Sequence, residues 1–135
     1  MIVVDTNIIS YLFIKGDRTV PIKKVFQKDS DWVLSILWRS EFRRVLSFYL
    51  RKKYLNLAQA KFLMEEAEYL MLGAEYYVNS NEILNLLIYT NLSAYDCEFV
   101  AVAKELGANL ITNDKKILNE VPNVALSISQ FLAQS

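Results

Sequence analysis

Apolar and polar positions fall into blocks along this chain, and the blocks carry two different periods. Met1-Ile2-Val3-Val4 is a short all-apolar run that ends at a carboxylate, Asp5. Such a run is typical of a strand buried on both faces. Trp32-Val33-Leu34 and Asn109-Leu110-Ile111-Thr112 repeat the pattern, and Tyr76-Tyr77-Val78 is a weaker version. Val124-Ala125-Leu126 predicts an edge strand. Between these runs the spacing becomes helical. Residues 7–14 and 20–28 predict short helices separated by a turn at Gly16-Asp17. A long helix over 36–53 follows, with Ser35 as its expected N-cap, and another over 57–72 is bounded by Asn56 and Gly73.

Asn79 with Glu82, and Ser93 with Asp96, have capping-box spacing. The first opens a helix over 80–89; the second opens one that runs to Gly107. On that second helix Tyr95, Phe99, Val102, Ala103 and Leu106 form the expected apolar side. A polar turn is expected after Thr112, and Ser127 is placed to cap a final helix. Short buried strands alternating with helices predict an α/β fold: three layers, α/β/α, around a short, mostly parallel central sheet, in one domain over 1–135. In such sheets ligands lie outside the carboxyl ends of the strands.

Composition narrows the chemistry. Of 135 residues, 53% are hydrophobic and 22% charged, the balance of a folded chain. A chain of this size buries about two thirds of its unfolded surface and needs no covalent staple. Cys97 is the lone cysteine, so no intrachain disulfide forms, and a reducing cytoplasmic compartment is expected. The opening residues lack the basic region of a signal peptide. No apolar run approaches the roughly 18 residues of a membrane span.

Positive and negative side chains balance at 15 each, but unevenly along the chain. Residues 1–61 hold 12 Lys/Arg and 5 Asp/Glu, net +7; residues 62–135 hold 3 and 10, net −7. A basic half beside an acidic half permits a local nucleic-acid surface, although solvated helix faces produce the same sums. Histidine is absent. That excludes the Ser-His-Asp triad, the Cys-His pair, histidine acid–base ribonuclease chemistry and most catalytic zinc sites. Catalysis would fall to carboxylates, a metal, Lys/Arg or Tyr.

Four acids stand out by position. Asp5 follows the first strand directly, and Asp114 stands just past the strand at 109–112. Either suits the N-cap of a following helix as well as a ligand site. Glu41 lies three residues after Trp38 and four before Val45, on or beside the buried stripe of its helix. A carboxylate there needs a cation or a hydrogen-bonding partner. Asp96 sits in the first turn of its helix, where the helix end favours negative charge. Asp5, Asp96 and Asp114 are all expected at one edge of the sheet, with Glu41 leaning toward it. Four converging carboxylates repel each other unless a divalent cation is bound, and oxygen-only donors suit Mg2+ or Mn2+ rather than zinc.

Around these acids the chain resembles the PIN-domain nucleases, and within them the VapC toxins of bacterial and archaeal toxin–antitoxin pairs. Val3-Val4-Asp5-Thr6-Asn7-Ile8-Ile9 is similar to the family's opening motif, and Leu37-Trp38-Arg39-Ser40-Glu41-Phe42-Arg43 to its second acidic segment. Ser93-Ala94-Tyr95-Asp96-Cys97 through Ala103 is similar to the third, and Leu110-Ile111-Thr112-Asn113-Asp114-Lys115-Lys116 to the fourth. The resemblance implies a metal-dependent endoribonuclease with Asp5, Glu41, Asp96 and Asp114 as catalytic and metal-binding residues. Mg2+ or Mn2+ would activate a water against the RNA phosphodiester. It also implies a VapB-type antitoxin partner whose basic side chain enters the acid cluster. A homodimer is expected as well, with exposed helix faces in 36–72 as its surface.

Beside the four acids, Thr6, Asn7 and Thr112 are candidates to hydrogen-bond a metal ligand or a phosphate, or equally to cap local turns. Arg44, Lys115 and Lys116 are candidate RNA contacts. Arg39 and Arg43 point elsewhere, toward solvent, an ion pair or a partner. Cys97 is expected to pack rather than react. Two alternatives stay open: a housekeeping RNA-processing PIN nuclease without an antitoxin, and a catalytically inactive PIN docking module.

Overall fold

The centre of the sheet is the first apolar run. In the computed structural model, which describes residues 1–135, β1 (Ile2–Val4) is buried along its whole length. It pairs in parallel with β2 (Trp32–Ser35), Val3 opposite Val33. On its other side lies β4 (Leu110–Ile111), Val4 opposite Ile111. β3 (Glu75–Tyr76) and β5 (Ala125–Leu126) add parallel outer strands, giving the order β3-β2-β1-β4-β5. The sheet is thus parallel throughout, in a three-layer α/β/α arrangement, and all its strands point their carboxyl ends one way. Eight helices link the strands: α1 (Thr6–Phe13), α2 (Thr19–Lys28), α3 (Trp38–Arg51), α4 (Leu57–Leu70), α5 (Ser80–Tyr89), α6 (Ala94–Leu106), α7 (Lys115–Glu120) and α8 (Ile128–Ala133).

α6 lies across β1, β2 and β4 and carries α5 on its outer side. Its buried residues, Cys97 and Phe99 to Ala103, run around the helix as befits an element covered on several sides. α1, α2, α3, α4 and α8 pack on one another as the remaining helical layer. Trp38 and Phe42 of α3 are fully buried there, with Ile8 and Ile9 of α1. No helix is long and apolar enough to cross a membrane.

Several boundaries differ from the sequence expectations, for local reasons. α3 begins at Trp38, not at 36, because Ile36-Leu37 turns first. Ser35 is therefore no N-cap: it is the last residue of β2, accepts from the Leu37 N–H and donates to Glu98 Oε1 at 3.0 Å. α3 stops at Arg51, where Lys53 takes a left-handed φ of 61°. α4 ends at Leu70, ahead of Gly73. Asn56 and Gln59 complete a capping box, as do Ser127 and Gln130. The Ser93 box forms by half only, Ser93 accepting the Asp96 N–H without a returning acid, and Asn79 caps through the Asn81 N–H instead of that of Glu82. Gly107 closes α6 with a φ of 62°, a conformation that favours glycine. The stretch after Thr112 is not simply a turn: it starts α7, a helix too short for its period to show.

Candidate active site

Each acid is placed by its element before any chemistry is asked of it. Asp5 leaves β1 and N-caps α1, its Oδ1 accepting from the Ile8 N–H at 3.2 Å. Asp114 N-caps α7 through Oδ1 alone, accepting from the N–H groups of Lys116 and Ile117 at 2.9 and 3.1 Å. Asp96 stands in the first turn of α6, where Ser93 Oγ accepts its N–H at 3.1 Å. Its carboxylate accepts no backbone N–H of the cap, and it lines the cleft. Glu41 projects from the first turn of α3. Together with Thr6, Asn7, Arg44 and the apolar wall Val45, Phe99 and Ile117, these four carboxylates line one cleft of about 190 Å3 at the carboxyl ends of the strands.

Two threonines hold the acids in position. Thr6 Oγ1 donates to Glu41 Oε1 at 2.6 Å, joining the start of α1 to α3. Thr112, fully buried behind the cleft, donates its hydroxyl to Asp5 Oδ2 and accepts the Asp114 N–H at 3.0 Å. One side chain thereby ties the residue after β1 to the residue before α7. Asn7 is exposed at the cleft and Thr6 is buried.

The crowding shows in the electrostatics. Burial raises the Asp5 pKa from 3.8 to about 6, against the hydrogen bonds from Thr112 and Ile8; repulsion from Asp114 and Glu41 adds to the rise. Glu41 is raised by burial and by Asp96, while Thr6 and Arg44 oppose the shift. Asp96 is raised by burial and by Asp114, with Ser93 and Lys116 acting the other way. Each of these three acids feels others of the set. No three of the side chains close on one point tightly enough to clasp an ion as they stand. By chemistry the set still fits a hard divalent cation: all donors are oxygen, and the cleft holds more negative than positive groups.

Of the expected cations, Arg44 is exposed and lines the cleft, and Lys116 lies near enough to act on Asp96. Lys115 is exposed and does not line the cleft. Arg39 faces away: its guanidinium donates to Glu75 at 2.6 and 2.8 Å and pairs with Glu68, while Trp38 Nε1 donates to Glu75 at 2.7 Å. That pairing lowers the Glu75 pKa. Cys97 is buried next to Asp96, and burial raises its thiol.

The structure corrects the sequence reading at Tyr95. The ring is not part of the core stripe of α6 but is 64% exposed. With Leu37, Ser40, Glu41 and Arg44 it lines a second cavity of about 350 Å3. Glu41 and Arg44 border both cavities. The sequence signal was the position of Tyr95 in the first turn of its helix, beyond the cover of the sheet.

A parallel α/β/α sheet with acids gathered at its strand ends defines a class. The family model described as PIN domain matches residues 2–123, and the chain belongs to the PIN domain family, whose members are generally nucleases. Solved structures share the fold at low identity. FitAcB from Neisseria gonorrhoeae is 18% identical, with a TM-score of 0.76 over 96% of this chain and 99% of that one. PAE2754 from Pyrobaculum aerophilum is 19% identical, with a TM-score of 0.71 over 96% and 92%. A toxin–antitoxin complex from Klebsiella pneumoniae contains a chain 20% identical, with a TM-score of 0.64 over 95% and 98%. No curated protein sequence matches significantly.

Proposed function

We propose that this chain is an endoribonuclease dependent on Mg2+ or Mn2+, and the toxin of a VapC-type toxin–antitoxin pair acting in the cytoplasm. The observation that carries the reading is the arrival of Asp5, Glu41, Asp96 and Asp114 from four separate elements in one cleft. Asp5, Asp96 and Asp114 would hold the cation, and Glu41 a second cation or the attacking water. The bound ion would supply a water of lowered pKa and positive charge against the phosphodiester oxygens. Thr6 fixes the direction of Glu41, and Thr112 that of Asp5. Arg44 and Lys116 offer positive charge to the RNA backbone.

The toxin reading draws support from the likeness in fold to a chain of the Klebsiella complex. A VapB-type antitoxin would lay a basic side chain among the acids, and a homodimer would cover exposed apolar side chains such as Phe48, Phe62 and Tyr69. Incubating total cellular RNA with the protein and Mg2+ or Mn2+ tests the core of the proposal. Discrete cuts are expected from wild type, none from Asp5→Ala and none in EDTA. A folded wild type that neither cuts RNA nor binds Mn2+ would overturn it.

A further inference from the structure

Resting on the ribonuclease reading, we propose that the cavity beside Tyr95 is a subsite for the nucleobase adjoining the phosphate that is cut. The cavity is lined by Leu37, Ser40, Glu41, Arg44 and Tyr95. Two of these, Glu41 and Arg44, also line the acid cleft. A strand whose phosphate lies at the acids therefore has its neighbouring nucleotide within reach of this second cavity. At about 350 Å3 it is roomy enough for one base.

The lining suits that occupant. Tyr95 offers an aromatic face, Leu37 an apolar wall, and Ser40 a hydroxyl that can donate to or accept from a base edge. Arg44 stands between the two cavities, where its guanidinium meets the backbone or stacks on the base. Exposure of a single tyrosine is ordinary; its place is what matters. Its ring pairs with no other aromatic side chain, whereas Phe48, Tyr49 and Tyr54 stack among themselves. Its hydroxyl makes no hydrogen bond that would tie it to the fold. Tyr95 and Asp96 are consecutive in the first turn of α6, so the spacing between base and cut phosphate is set by one rigid helix end. Stacking accepts every base but favours the larger face of a purine.

Cut sites in total cellular RNA with Mn2+ would be mapped by sequencing for wild type, Tyr95→Ala, Tyr95→Phe, Tyr95→Leu and Asp5→Ala. An oligoribonucleotide copied from the strongest wild-type cut then yields kcat and KM. Tyr95→Ala and Tyr95→Leu are expected to raise KM about 5- to 100-fold, with kcat little changed, and to lose the purine bias beside the cut. Tyr95→Phe is expected to keep both. A leucine that restores KM would mean that bulk alone matters, and would overturn the stacking subsite. Unchanged KM and cut pattern in Tyr95→Ala would overturn it too, and leave this face to a protein partner. A wild type without metal-dependent cuts that Asp5→Ala abolishes would instead overturn the ribonuclease reading itself.

Discussion

Replacing Asp5 by asparagine should stabilise the metal-free protein while abolishing the proposed RNA cleavage. Asp5 is 7% exposed, and its pKa stands at about 6 against 3.8 in the unfolded chain. A shift of about 2 units corresponds to about 3 kcal/mol at 1.36 kcal/mol per unit. Below about pH 4 the carboxyl is neutral in both states, and the fold keeps its full stability. As pH rises from about 4 to 6 the unfolded chain ionises first, so stability falls; above about 6 the loss is complete. An asparagine is neutral throughout and still caps α1 through its carbonyl. Thr112 must then turn its proton away from the new amide, which takes back about 1 kcal/mol. The net gain is about 2 kcal/mol near pH 7.5, or roughly 6–10 °C in Tm for a chain of this size. Melting curves of both proteins in EDTA, at a series of pH values, measure it. The difference between them isolates Asp5 from the other cleft acids; it should cross zero between about pH 4 and 5 and favour wild type by about 1 kcal/mol at lower pH. An asparagine variant that melts at or below wild type near pH 7.5 would refute the burial argument.

Removing the hydroxyl that bridges β1 and α7 gives a further prediction. Thr112→Val strands Asp5 Oδ2 and the Asp114 N–H, and chemical denaturation should show a loss of about 1–3 kcal/mol with RNA cutting reduced. Arg39→Ala leaves half-buried Glu75 without its guanidinium, at a cost of about 1.5–3 kcal/mol, yet kcat on RNA should stay near wild type. Mn2+ at about 100 times its Kd should stabilise wild type by about 2.7 kcal/mol, seen as a Tm rise that Asp5→Asn largely lacks. Equal Tm rises in the two proteins would remove Asp5 from the proposed cation site.

The strands and their terminal acids were legible because a buried parallel strand writes itself as an unbroken apolar run. Asp5 follows such a run directly and Asp114 stands just past one, and their capping role, read from position alone, is the one they play. The apolar stripe of α3 exposed Glu41 as an acid out of place. Illegible were the bonds between distant residues: Thr6 to Glu41, Thr112 to Asp5, Ser35 to Glu98. Each depends on which elements become neighbours, not on local spacing. Ser35 looked like a helix cap because serine before an apolar run does so, and the sheet claimed it instead. Tyr95 looked like core because its spacing continues the stripe of Phe99 and Val102. The stripe runs out of sheet to cover before it reaches the first turn.

The pairing of β1 with β4 sets Val3 beside Leu110 and Val4 beside Ile111, so Asp5 and Thr112 each stand one step past the last matched pair. Tolerance to changes in length should therefore be uneven. An extra residue in the connection between α2 and β2, or between α4 and β3, leaves that alignment untouched. One inserted between Thr112 and Asp114 carries the acid up to about 3.3 Å further along the chain and away from its threonine. Scanning the chain with single insertions would thus trace the outline of the site without altering any side chain in it.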